Sequence, residues 1–267
     1  LGDILFNKMR LSNKPKKTKS GQFSTNESEL IKLQGKHHII DDILLFRTYQ
    51  KLLSTYVNSL PLLVDKNDQK IHTTFNQTVT NTGRLSSSMP NLQNIPIRKQ
   101  SGKDVRKSFI PSSDDYILMA ADYSQIELRL IAELSQEDNM IEAFLNNEDI
   151  HVSTASKVFN VSIQDVTSDM RANAKTVNFG IIYGVSAFGL SQQSALNRKE
   201  AADLIKVYFE TYPKLKLYMD NQIAFARDTG YVETILGRRR YLRNINSRNT
   251  FIRGHDERNA VNMPIQG

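Results

Sequence analysis

From Tyr116 the chain runs apolar for six residues, YILMAA, and then changes period. The run Tyr116 to Ala121 has the length and continuity of a buried strand. Asp122 follows where that strand should end. Ser124 to Glu127 then spells S-x-x-E, the capping-box pattern in which a serine and a glutamate satisfy free amides reciprocally. From Ile126 the apolar spacing is helical, with Ile126, Leu128, Leu130, Ile131 and Leu134. A carboxylate thus stands where a strand passes into a helix, a point from which rigid elements aim side chains at solvent.

Upstream, residues 1 to 12 carry the pattern of a helix tail. Asn13 to Gly21, NKPKKTKSG, reads either as a solvated loop or as a phosphate-contacting tip between two helices. Ser24 is a candidate N-cap ahead of an acidic first turn. A longer helix is predicted from Ile39 to about Leu60, closed by Pro61. Its buried stripe would be Ile43, Leu44, Phe46, Tyr49, Leu52, Leu53, Tyr56 and Val57. Asp65 to Gln69 predicts a turn, and Ile71 to Val79 has strand character. Thr80 to Pro96 is irregular and polar. That composition suits a plain loop, and equally a surface that hydrogen-bonds sugar edges and base acceptors around Arg84.

Downstream, Asp149-Ile150-His151 opens a helix to about Phe159, with His151 read as a capping or surface residue. Thr167-Ser168-Asp169 offers N-caps to the next helix, which carries Arg171, Lys175, Phe179 and Tyr183 four residues apart. At about 100° per residue successive members drift by roughly 40°, so the four share one broad face roughly 18 Å long. Cations at the N-terminal end oppose the helix dipole, and an anion there would be attracted by both side chains and dipole. The plain alternative is an amphipathic helix with a basic rim and buried aromatics. Charges first and rings last is also the order in which a nucleotide presents triphosphate and base. Helical patterns return at Arg198 to Tyr212 and at Leu215 to Thr229, the second ended by Gly230. Tyr231 to Ile235 is strand-like, and Gly237 to Arg240, GRRR, makes a turn. A last helix, from about Asp256 through Asn262, places Arg258, Asn262 and Gln266 four apart. Long helices with few strands and no βαβ rhythm argue for an α+β fold.

The 267 residues are 39% hydrophobic and 24% charged, ordinary for a globular chain long enough to bury a core. A formal charge of +7 points toward a polyanionic partner. With no cysteine, neither a disulfide framework nor a cysteine zinc site is possible. No apolar run approaches a membrane span. Leu1 is not an initiator methionine and both ends fall mid-pattern, so the chain reads as a piece of a longer polypeptide.

TGRLSS with PNLQNIP, then DYSQIELR, RANAKTVNFGIIYG and ERNAVNMPIQG, follow one another in the order seen in family A DNA polymerases. Four long motifs in order make this resemblance specific, and it extends over essentially the whole chain. It implies a right-hand α+β architecture with mostly helical thumb and fingers and an incomplete antiparallel-sheet palm. By resemblance, residues 1–64 are a partial thumb, 65–135 the first part of the palm, 136–243 the fingers and 244–267 a truncated second part of the palm. The implied activity is template-directed DNA synthesis in replication and repair, with primer-template DNA and deoxynucleoside triphosphates as partners. The implied setting is a monomer in the bacterial cytoplasm, nucleoid-associated and away from membranes.

The resemblance also implies roles. Asp122, helped by the backbone carbonyl of Tyr123, would hold two Mg²⁺ ions, since hard Mg²⁺ takes one or two carboxylates plus phosphate oxygens. Such a pair activates the attacking 3′-hydroxyl and stabilises the leaving pyrophosphate. Arg171 and Lys175 match cations that grip the triphosphate, Lys175 also matching the family's pyrophosphate-protonating lysine. His151 matches a histidine on the same phosphates. Phe179 would pack on sugar and base, and Tyr183 would sit near the templating base. Gln125 and Ile126 would line the nucleotide pocket, while Glu127 both caps its helix and excludes a 2′-hydroxyl. Arg84, Gln93, Asn94, Arg258, Asn262 and Gln266 match residues along the duplex, where minor-groove acceptors are nearly the same for every base pair.

The family's second metal-binding aspartate, in an HDE turn, is expected beyond Gly267. The literal His255-Asp256-Glu257 has the wrong flanks for that turn and reads as a solvated helix start. The chain alone is therefore expected to bind DNA weakly and to polymerise little or not at all. A non-catalytic DNA-binding module of the same shape is the alternative; Asp122, Arg171 and Lys175 together argue against it. An RNA-synthesising relative would lack a glutamate barrier at Glu127. Phe179 implies poor use of dideoxynucleotides.

Overall fold

The structure is a computed structural model that describes residues 1–97, 100–192, 194 and 196–267. Its chain divides into two units, Leu1–Asn76 with Ser86–Leu118, and Gln77–Leu85 with Met119–Gly267. Both small sheets are antiparallel hairpins within a mostly helical chain, an α+β architecture. Among the described residues no helix is long and apolar enough to cross a membrane.

The first unit holds α1 (Glu27–Ile31), α2 (Ile39–Leu52), the strands β1 (Thr74–Asn76) and β2 (Ser86–Ser88), and α3 (Gln100–Lys107). Its core gathers Leu5, Phe6, Leu30, Leu33 and Ile40. Asn26, not Ser24, caps α1 by accepting from the Glu29 amide at 3.0 Å. Ser24 is buried instead. The helix predicted to reach Leu60 stops at Leu52 and gives way to a π turn, Leu53–Val57. Of its supposed buried stripe only Tyr56 is sealed; Phe46, Tyr49, Leu53 and Val57 are exposed. They line an open apolar groove of about 870 Å³ with Val105 and Phe109. An apolar helix face is buried only when another element covers it. Nor is Thr80 to Pro96 irregular throughout, because Ser86, Ser87 and Ser88 pair with Asn76, Phe75 and Thr74.

The second unit contains α4 (Ile126–Ser135), α5 (Asp138–Leu145), α6 (Ile150–Phe159), α7 (Ser168–Ile182), α8 (Ala187–Ser191), α9 (Arg198–Thr211) and α10 (Pro213–Thr229). The strands β3 (Tyr231–Glu233) and β4 (Arg239–Tyr241) and the helix α11 (Thr250–Gln266) complete it. Its main core joins Leu128 and Ile131 of α4 to Met140, Ile150, Val177, Ile181, Leu204 and Tyr208. A reciprocal capping box, Asn197 with Glu200, starts α9. Gly230, at φ 78°, ends α10 in the left-handed region that glycine enters without steric cost. A smaller core of Ala226, Val232, Leu242, Ile245, Ala260 and Met263 packs the hairpin on α10 and α11.

Three local expectations fail for physical reasons. Tyr116 to Ala121 is not a buried strand: Ile117 and Met119 are 87% and 85% exposed. A strand is stable only when its amides and carbonyls find a ladder partner, and among the described residues none pairs with this run. The capping box at Ser124 and Glu127 does not form either. Gln125 is the N-cap of α4, in a left-handed conformation at φ 56°, and makes no side-chain cap. Finally, α11 begins at Thr250, so His255-Asp256-Glu257 lies inside a helix and not at its start. Asp256 is buried and accepts from the Asn244 amide at 2.7 Å.

Candidate active site

Two clusters in the second unit draw together most of the candidate residues. The first lies where α6 packs against α7. Thr167 caps α7 by accepting from the Met170 amide at 3.2 Å. One face of α7, Ala174, Val177, Asn178 and Ile181, is buried at helical spacing. Arg171, Lys175, Phe179 and Tyr183 follow its other side, with Lys175 exposed and the Arg171 and Phe179 side chains half-buried.

The anion at this end of α7 is the protein's own. Asp149 caps α6 through one oxygen, accepting from the His151 and Val152 amides at 2.8 and 3.2 Å. Its other oxygen accepts from Arg171 Nε and Nη2 at 3.0 and 2.7 Å. Partial burial opposes the charge of Asp149, but the Arg171 bond and the two amides outweigh it and hold the carboxyl below the usual carboxylate range. Gripped along its Nε edge, the guanidinium keeps donors on its Nη1 side for another acceptor. The Lys175 side chain makes no hydrogen bond or ion pair among the described residues.

His151 is neither a cap side chain nor a surface residue. It is 3% exposed, with its ring 5.7 Å from that of Phe179. Burial, reinforced by the Arg171 and Lys175 charges against that of Asp149, pushes its imidazole below the ordinary value. Asn178 Nδ2 meets His151 Nδ1 at 3.1 Å and Thr154 Oγ1 at 3.1 Å. Thr154 Oγ1 in turn lies 3.0 Å from the Tyr212 hydroxyl.

The second cluster is built on Glu127. One of its oxygens accepts from Arg84 Nη2 at 2.5 Å and the other from the Tyr183 hydroxyl. Burial and then the Glu127 carboxylate raise the Tyr183 phenol above its ordinary value, while a Gln266 side-chain bond acts the other way. At Gly184, φ 66°, an added Cβ would stand 2.5 Å from Arg258 Cγ. Arg84 from the β1–β2 connection, Glu127 from α4, Tyr183 from the end of α7, and Arg258 and Gln266 from α11 thus converge. Asn262, between the last two on α11, buries its side-chain oxygen with no hydrogen-bond partner among the described residues. Beside Arg84 and Gln266 opens a cavity of about 510 Å³ that Thr234 and Arg238 also line.

Asp122 and Tyr123 are exposed on the irregular segment before α4, and Gln125 and Ile126 begin that helix. Asp122 has no hydrogen-bond or ion-pair partner among the described residues, nor do any three histidine or acidic side chains there form a metal cluster. Gln93 and Asn94 belong to the other unit, exposed on the turn Leu92–Asn94.

Sequence reasoning passed over Asp149 as the partner of Arg171, and missed Asn178, Thr154 and Tyr212. One signal was available for Asn178: it is the polar member of an otherwise apolar stripe, and a buried amide requires partners.

The whole chain, residues 1–267, matches the model of a family described as DNA polymerase family A. DNA polymerase I of Geobacillus stearothermophilus is 51% identical over 267 residues, all of this chain and 30% of that protein. DNA polymerase I of Bacillus subtilis (strain 168) is likewise 51% identical over the full chain, again 30% of the relative's length. Among solved structures, the POL domain of Pol1 from M. smegmatis, in complex with DNA primer-template and dNTP, superposes with a TM-score of 0.90 at 42% identity. That match covers 100% of this chain and 47% of the other.

Proposed function

This chain belongs to DNA polymerase family A, and from that premise we propose that it forms the nucleotide-selecting part of a template-directed DNA polymerase acting in replication and repair. The observation that carries the reading is the convergence on Glu127 and Tyr183. Arg84 of TGRLSS, Glu127 of DYSQIELR, Tyr183 of RANAKTVNFGIIYG and Gln266 of ERNAVNMPIQG come from four separate motifs and share hydrogen bonds in one cluster. Such a meeting of polar groups suits a pocket that recognises sugar and base.

In this reading Arg171 and Lys175 bind the triphosphate, with His151 donating to the same phosphates. Phe179 flanks sugar and base, and Tyr183 stands by the templating base. Gln125 and Ile126 line the pocket, and Glu127 closes it against a 2′-hydroxyl. Arg84, Gln93, Asn94, Arg258, Asn262 and Gln266 follow the minor groove of primer-template DNA. Lys175 is the group suited to protonate pyrophosphate. Asp122, exposed and unpartnered among the described residues, fits one carboxylate of a magnesium site, with the Tyr123 carbonyl beside it. Two bound Mg²⁺ would supply the charge stabilisation and hydroxyl activation of nucleotidyl transfer. The proposed layout is thumb 1–64, palm 65–135 and 244–267, and fingers 136–243, in a monomeric enzyme of the bacterial cytoplasm associated with the nucleoid.

The test uses the full-length polymerase with Asp122→Asn. Primer extension should drop by about 10³-fold, some 4 kcal/mol of barrier, while affinity for primer-template stays within about threefold. Undiminished extension would remove Asp122 from the chemistry. A parallel loss of DNA affinity would point to the non-catalytic binding module.

A further inference from the structure

We propose that Asn178 is a positioning residue for the triphosphate site: it holds His151 from inside the protein as the tautomer protonated at Nε2, so that His151 meets phosphate as a neutral N–H donor. The inference rests on the reading of His151 as a phosphate contact and adds to it the charge state and the residue that sets it.

The geometry is a closed chain of donors. Asn178, Thr154 and Tyr212 are 0%, 1% and 0% exposed, so their polar atoms need partners within the protein, and His151, at 3%, turns Nδ1 toward them. The amide nitrogen of Asn178 has two hydrogens and two acceptors within reach, His151 Nδ1 and Thr154 Oγ1, both at 3.1 Å. The Thr154 hydroxyl donates to Asn178 Oδ1 at 3.3 Å and lies 3.0 Å from the Tyr212 hydroxyl, which anchors the network at the end of α9. With Nδ1 occupied as an acceptor, the one imidazole proton must sit on Nε2. A second proton on Nδ1 would face an N–H donor and lose the bond.

The surroundings agree. The charged groups facing the imidazole are Asp149, the Arg171 guanidinium and the Lys175 ammonium. Two cations already stand there, and the single carboxylate is engaged with Arg171 and two backbone amides. A third cation, buried, would be repelled by both and poorly solvated. A neutral N–H adds a hydrogen bond to a phosphate oxygen without that cost. If the network merely stitched α6, α7 and α9 together, changing Asn178 would lower stability without touching the tautomer or nucleotide affinity.

The test begins on the unmodified full-length polymerase, so that it does not depend on a variant folding. Imidazole ¹⁵N resonances of His151 should show a bare Nδ1 and a protonated Nε2 across neutral pH; a protonated Nδ1 overturns the proposal. Next, Asn178→Asp places an acceptor opposite Nδ1. The His151 titration should move upward, and KM for deoxynucleotide should acquire a dependence on it. Asn178→Leu, lacking the donor, should raise that KM by about tenfold, with a smaller change in kcat and no rescue by added stability. If His151→Ala raises KM but both Asn178 variants leave it unmoved, the proposal falls and the phosphate reading stands. If all three leave it unmoved, both fall.

Discussion

Asp149 shows how much one side chain can organise. One oxygen caps α6 and the other holds Arg171, so a single carboxylate ties a helix start to the first cation of α7. Asp149→Ala should cost about 1 kcal/mol from the lost cap alone. It should also weaken deoxynucleotide binding, because Arg171 loses its orientation. Asp149→Asn keeps a capping oxygen and should recover most of the stability but not the nucleotide affinity. Denaturant melts set beside nucleotide titrations of the two variants separate these effects. At this scale the sequence was partly legible. Asp149 was visible as a helix opener, but its second partner lies 22 residues on, and no local pattern encodes that pairing. The cap expected at Glu127 fails for a related reason: S-x-x-E supplies the residues of a capping box, yet Arg84 and Tyr183 hold the same carboxylate.

The two sides of helix α7 have different surroundings. The stripe Ala174, Val177, Asn178 and Ile181 fixes it in the core, while Arg171, Lys175, Phe179 and Tyr183 follow the other side. Its end is set by Gly184, whose positive φ turns the chain beneath Arg258. Gly184→Ala should destabilise by about 1–2 kcal/mol from the left-handed backbone, and the new methyl must displace Arg258. Lower thermal stability with weakened primer-template affinity is the expected pair of results; an unchanged affinity would separate Arg258 from the duplex. Long periodic helices such as α9 and α10 were readable from residue order, since capping and spacing are local properties. The predicted strand at Tyr116 and the buried stripe of α2 were not. Hydrophobicity states that a face seeks cover but does not name what covers it.

Across the whole molecule, the buried His151 makes stability depend on pH. Its ordinary value is 6.5, and in the folded chain it is lower. Below 6.5 the unfolded chain therefore binds more protons than the folded one, and stability falls as pH drops toward the depressed value. Asp149 adds a second step further into acid. Its contribution is present above the ordinary 3.8 and disappears as pH falls through its lowered folded value. The melting temperature should therefore fall as pH drops below about 6.5, and His151→Gln should flatten that step while leaving the lower one. An unchanged slope in the variant would assign the step to another group. The cationic excess of +7 and the exposed Ile117 and Met119 act at this scale too, the first favouring polyanions and the second association with any apolar partner.

Residue order by itself determined the fold class, the course of α9 and α10 and the order of four motifs, because helical period, caps and motif spacing act over a few positions of chain. Only the tertiary structure decided which groups share a hydrogen bond. Glu127 meets Arg84 43 positions away and Tyr183 56 positions away, and His151 is buried against Asn178 27 positions on. Such partnerships depend on which buried polar groups folding leaves within about 3 Å of each other, and a linear pattern contains no distance between residues so far apart.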